Sequence, residues 1–142
     1  MGYPQVHVAA FKQVTGEAIY TDDIPQPPNG LYGAFVWSTK ARAKILSIDP
    51  SEALNMEGVR DFLSARDIPG VNQVGIVAHD EEIMASQVVP CVGFPVGLVV
   101  AQTLKLAQKA AKLVKVQYED LPAIITIDVS ELNSCKVWSN II

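Results

Sequence analysis

The sequence has 142 residues, 49% of them hydrophobic and 18% charged, which suits one globular domain and excludes a disordered chain. Eleven Lys and Arg stand against fifteen Asp and Glu, a net charge of −4 without the basic footprint of a duplex binder. No run approaches the roughly eighteen apolar residues of a transmembrane helix. The N-terminus, MGYPQVHVAAFKQ, lacks the basic and apolar segments of a secretory signal. Val6 stands where myristoylation needs Ser or Thr. Cys91 and Cys135 are too few for a disulfide framework and point to a reduced, intracellular protein.

Residues 1–30 read as an extended arm, because Pro4, Gly16, Pro25, Pro27, Pro28, Asn29 and Gly30 interrupt regular structure. Residues 31–38 (LYGAFVWS) predict a strand. Residues 43–48 (AKILSI) predict a second, with Ile45 and Ser47 on one face and Lys44, Leu46 and Ile48 on the other. Asp49 and Pro50 read as the N-cap and first residue of a short helix over 51–55. A third strand covers 59–65, and RDIPG at 66–70 is one helical turn with a stop. Residues 75–78 read as a short strand and 79–82 (HDEE) as a polar turn. Pro90 confines any strand over 88–91 to an edge.

Residues 97–101 (GLVVA) predict a central strand buried on both faces. Thr103 caps the clearest helix, 104–114, whose buried stripe is Leu104, Ala107, Ala111 and Val114. Residues 115–118 start a final strand, residues 124–128 form a last extended segment, and 130–142 are a tail or linker. This order predicts an α+β fold with a mixed sheet and two main helices, the domain proper running over 31–129.

The residues alone display no active site. Asp80, Glu81 and Glu82 are able to bind a cation, but a solvated turn is favoured, and His7 and His79 are isolated. A Cys91/His79 pair is conceivable, yet Cys91 reads better as a packed small hydrophobe. Gly93 and Gly97 fit no phosphate loop and read as a tight turn or bulge before the central strand. Asp22/Asp23 and Glu119/Asp120 read as turn caps. Lys40, Arg42 and Lys44 form one basic group, and Lys105, Lys109, Lys112 and Lys115 line one helix face. Trp37 reads as a core anchor and Trp138 as a tail contact.

Five stretches, in this order and spacing, carry a resemblance: TGEAIYTDDIP (15–25), STKARAKILSID (38–49), ARDIPG (65–70), CVG (91–93) with GLVVA (97–101), and VQYEDLPAIITI (116–127). They resemble the α/β hammerhead domain of the xanthine dehydrogenase and aldehyde oxidase family, the molybdenum hydroxylases, with LPAIITI and DIPG-x-N closer to xanthine dehydrogenase. The resemblance implies that Met1 is an artificial start, the chain being an excised domain of a larger cytoplasmic, homodimeric parent. That parent hydroxylates purines or aldehydes with water as oxygen source, using molybdopterin, [2Fe-2S] clusters and FAD. The cofactor and catalytic segments lie in its other domains, so this chain is expected to be inactive alone, with no catalytic, cofactor-binding or metal residue. Its expected partners are the parent's other domains, chiefly the molybdopterin-binding ones, with no nucleic acid and no membrane. By the same resemblance, Ile83 and Met84 are the substrate-channel candidates. The alternative is a free-standing protein-interaction module of the same fold.

Overall fold

The computed structural model describes residues 2–75, 77, 80–127 and 130. The chain divides after Gly30 into two units, Met1–Gly30 and Leu31–Ile142.

The first unit is not wholly extended as expected. It contains helix α1, Ala10–Thr15, and one 3-10 turn, Thr21–Asp23. Gly16 ends α1 in the left-handed conformation, at φ 78°, where glycine pays no Cβ penalty. The dense prolines obscured this helix, which fits between Pro4 and Gly16. No residue of α1 is buried.

The second unit is built from β1 (Tyr32–Trp37), β2 (Ala43–Asp49), α2 (Ser51–Leu54), β3 (Val59–Ser64), β4 (Val88–Val89), β5 (Pro95–Ala101), α3 (Leu104–Ala111) and β6 (Lys115–Asp120). The α+β class stands. The single mixed sheet does not: the strands form two three-stranded sheets, β1-β5-β3 and β4-β2-β6, and every pairing is antiparallel. β5 is central as expected, and β4 is an edge strand that stops before Pro90.

Helix α3 covers one face of the first sheet. Ala34, Val36, Val99 and Ala101 pack there against Ala107, Ala110, Ala111 and Val114, with Ala53 of α2 beside them. Small residues on both sides let helix and sheet approach closely. The Thr103 hydroxyl accepts from Leu106 N at 3.3 Å and so caps α3 as expected. Leu104 is 46% exposed, and Ala110, outside the expected stripe, is buried instead. The helix also ends at Ala111, earlier than expected.

A second cluster, Ala43, Ala85, Val89 and Val96, lies under the other sheet. Two bulges feed the clusters. In β5 the register skips Val96, so Val96 joins the second cluster while Val99 and Ala101 stay in the first. In β2 the pairing skips Leu46, which moves Ile48 into the phase of Ile45. Ile45 and Ile48 therefore both pack inward and Leu46 is exposed, a correction to the strict alternation expected. Near the end of the described chain, Ser130 N donates to Thr126 O at 3.1 Å, a helical bond where an extended segment was expected. Residues 76, 78, 128 and the tail beyond 130 lie outside the described residues, which leaves the expected strand 75–78 undescribed as a whole. No helix among the described residues is long and apolar enough to cross a membrane.

Candidate functional site

The two channel candidates belong to a loop, residues 71–87, stitched together by side chains. The Asn72 amide clasps Met84 twice: Nδ2 donates to Met84 O at 2.7 Å, and Met84 N donates to Oδ1 at 3.0 Å. One amide side chain thus imitates a paired strand. Val74 N donates to Glu81 O at 2.8 Å, and Ala85 N donates to Pro95 O at 2.8 Å, which ties the loop to β5. The Glu82 carboxylate accepts from Ser86 N at 2.8 Å and from the Ser86 hydroxyl. These bonds set the two candidates apart. Met84 is 8% exposed and packs inside the domain, whereas Ile83 is 37% exposed. Only Ile83 presents surface to anything outside.

The acidic turn beside them has its own structural work. The Glu82 carboxylate is occupied by Ser86, and the Glu81 main chain is paired with Val74. Among the described residues, no three His, Cys, Asp or Glu side chains are placed to hold a metal ion. Cys91 is exposed just past β4, not packed as expected, because Pro90 has already turned the chain out of the sheet. His79, the other half of the conceivable pair, lies outside the described residues, as do Cys135 and Trp138.

The basic group over 40–44 is engaged within the domain, one member of it by an ion pair. Lys40 Nζ pairs with Asp120 Oδ2 at 2.9 Å, and Arg42 donates to Pro122 O at 3.0 Å. Lys44 lies opposite Glu119 in the β2/β6 register. Asp120 and Glu119 are therefore cross-strand partners and not turn caps. Asp23 does cap its turn, accepting from Tyr20 N at 3.0 Å. On the far side, Lys115 pairs with Glu52, which raises the Lys115 pKa above its ordinary value.

Gly93 takes φ 77° in the tight turn expected before the central strand. It donates to Ser38 O at 2.8 Å, while Ser38 N donates to Phe94 O at 2.8 Å. Trp37, expected as a core anchor, is 53% exposed. It lies beside Phe35, ring centres 5.1 Å apart, on the sheet face that α3 does not cover. The alternation of β1 buries Ala34 and Val36 and leaves Gly33, Phe35 and Trp37 outward.

Between β1, α3 and β6 runs a groove of about 760 Å³. Its lining is mainly apolar and includes Phe35, Trp37, Leu104, Val116 and Tyr118, with Lys112 the one ion. Nothing in it combines a nucleophile with a base.

Residues 15–122 match the family model described as "Aldehyde oxidase and xanthine dehydrogenase, a/b hammerhead domain". The chain belongs to this family. The hammerhead domain is 54% identical over 128 residues to a xanthine dehydrogenase of Oryza sativa subsp. japonica, covering 90% of this chain and 9% of that protein. It is 52% identical over 127 residues to a xanthine dehydrogenase/oxidase of Gallus gallus, covering 89% and 9%. Among solved structures, an aldehyde oxidoreductase from Desulfovibrio gigas superposes with a TM-score of 0.79 at 32% identity, over 86% of this chain and 15% of that one. The hammerhead domain thus spans about a tenth of the length of these xanthine dehydrogenases.

Proposed function

We propose that this chain is a non-catalytic structural domain of a xanthine dehydrogenase-like molybdenum hydroxylase. The observation that carries the reading is its match to about a tenth of two xanthine dehydrogenases at more than half identity. The parent would hydroxylate purines or aldehydes with molybdopterin, [2Fe-2S] clusters and FAD, as a cytoplasmic homodimer. Among the described residues no three His, Cys, Asp or Glu side chains are placed to hold a metal ion, and no reaction step is assigned to this chain. Its part is to buttress the molybdopterin-binding domains and to stand beside the substrate channel. Exposed Ile83 supports the second role better than buried Met84.

The test is the native reading frame around this segment, with activity of its product. A frame of xanthine dehydrogenase length with upstream iron–sulfur cysteines, whose product hydroxylates xanthine, supports the reading. A frame that ends near Ile142 replaces it with a free-standing interaction module. The 142-residue chain, purified untagged, is expected to show no visible absorption above the protein band. Bound flavin or iron–sulfur colour would overturn the non-catalytic assignment.

A further inference from the structure

Each of the two sheets has two outer strands, and three of these four edges are protected against pairing. Natural proteins blunt edges with charge, proline, brevity or bulges, because unpaired N–H and C=O groups otherwise capture another strand. β3 carries Arg60 and Asp61, and its register with β5 breaks between Val59 and Asp61. β4 has two residues and stops before Pro90. β6 carries Lys115, Glu119 and Asp120.

β1 has none of these devices. Its six residues, YGAFVW, hold no charge and no proline. The bulge in its pairing falls on Val96 of β5, so β1 itself runs without interruption. Its only strand partner among the described residues is β5. Its outer side borders the apolar groove whose far walls are α3 and β6, the latter another outer strand. Unpaired backbone along one wall and apolar side chains along the others suit an extended segment with alternating apolar residues.

We infer that β1 is an acceptor edge. An extended segment of the parent polypeptide, from the part outside this chain, adds to it as a fourth strand of the β1-β5-β3 sheet and fills the groove. The occupant rests on the functional reading above. This chain amounts to 9% of its xanthine dehydrogenase relatives, so most of the parent lies outside it, and a covalently joined segment reaches the edge at high effective concentration.

Hydrogen exchange at the β1 amides tests this, measured in the full-length parent and in the 142-residue chain. The central β5 amides serve as the internal standard of folding. In the chain alone, the outward amides of β1 are expected to exchange freely while those of β5 are protected. In the parent, both sets of β1 amides are expected to be protected, the outward ones slowed about a hundredfold or more. Outward amides that exchange equally fast in the parent would overturn the inference. Protection in the chain alone that grows with its concentration would make a second copy the occupant. Protection there at every concentration would assign the edge to the chain itself. Either overturns the assignment to the parent. A parent that shows β1 protection but hydroxylates neither xanthine nor aldehydes sinks the functional reading alone.

Discussion

Gly97 shows what a single hydrogen atom decides in this domain. Its position on β5 faces the first cluster, and the Phe62 ring from β3 lies directly across it. A Cβ there would sit 2.4 Å from Phe62 Cζ and 2.9 Å from the backbone oxygen of Leu63. The ring has no easy retreat, because Phe62 packs against the cluster. Gly97→Ala is therefore expected to cost about 1–3 kcal/mol, the usual penalty of overpacking, read as a lower urea midpoint at unchanged slope. Unaltered stability would mean that Phe62 moves freely. Two carboxylates make a second prediction at this scale. Asp49 accepts from Ser51 N at 3.0 Å, and Asp67 accepts from Ser64 N at 2.7 Å and from the Ser64 hydroxyl. Hydrogen bonds from Ser51 and from Ser64 hold the two carboxyls below their ordinary value of 3.8. Protonation removes those bonds, so their stabilisation is present above that ordinary value and is lost as pH falls through the lowered folded values. Asp49→Asn with Asp67→Asn is expected to flatten the acid limb of Tm against pH and leave the neutral region less changed. An acid limb identical to that of the wild type would remove these groups from the account.

At the scale of elements, the loop that carries Ile83 depends on one side chain. The Asn72 amide satisfies both backbone groups of buried Met84 from twelve residues away. Asn72→Ala leaves that donor and acceptor without their partner, a loss of about 1–3 kcal/mol. The Met84 amide should then exchange faster while β5 amides hold their protection relative to global unfolding. Equal loss at both places would mean that the clasp serves the whole fold and not the loop. Nothing in the sequence announced this bond, since an asparagine in a loop has many uses. What the sequence did disclose were elements with strong local signatures: the apolar run of β5, the Thr103 cap of α3, and the Pro90 limit on β4. Asp49 was legible only in part: its carboxylate does accept from Ser51 N, but α2 starts at Ser51 with Pro50 in the N-cap position, one residue later than the expected cap at Asp49 and first helical residue at Pro50. The faces were less legible. Leu46 and Ile48 were assigned together by strict alternation, and a bulge that skips Leu46 separates them. Bulges leave no reliable mark in a hydrophobic pattern, yet each reverses every assignment beyond it. Trp37 and Cys91 misled for a related reason. Apolar character was read as burial, whereas β1 presents one apolar face outward and Pro90 turns Cys91 away from the sheet.

Over the whole of the second unit, the two clusters are joined through one rung. Ile48 and Val116 are register partners across β2 and β6, and both pack against the first cluster and against the second. The Asp49 end of β2 and the Lys115 end of β6 thus lie where the two sheets share their apolar interior, and the Lys115–Glu52 pair ties the same corner to α2. Exposed ion pairs contribute little, so the coupling between sheets rests on the two aliphatic side chains. Ile48→Ala removes methyl groups from both clusters at once and is expected to cost about 2–4 kcal/mol, within the range for large-to-small core changes. The distribution of the loss matters more than its size. If the sheets unfold as one unit, the amides of Val99 in β5 and Ala43 in β2 should lose protection by the same factor in the variant. If the second sheet opens alone, Ala43 should lose protection while Val99 keeps it, and the two sheets would be separate cooperative units. Two antiparallel sheets of three strands each have little core apiece. A four-residue cluster such as Ala43, Ala85, Val89 and Val96 is too small to hold a sheet without the larger cluster beside it. Equal loss at both amides is the outcome that this shared rung requires.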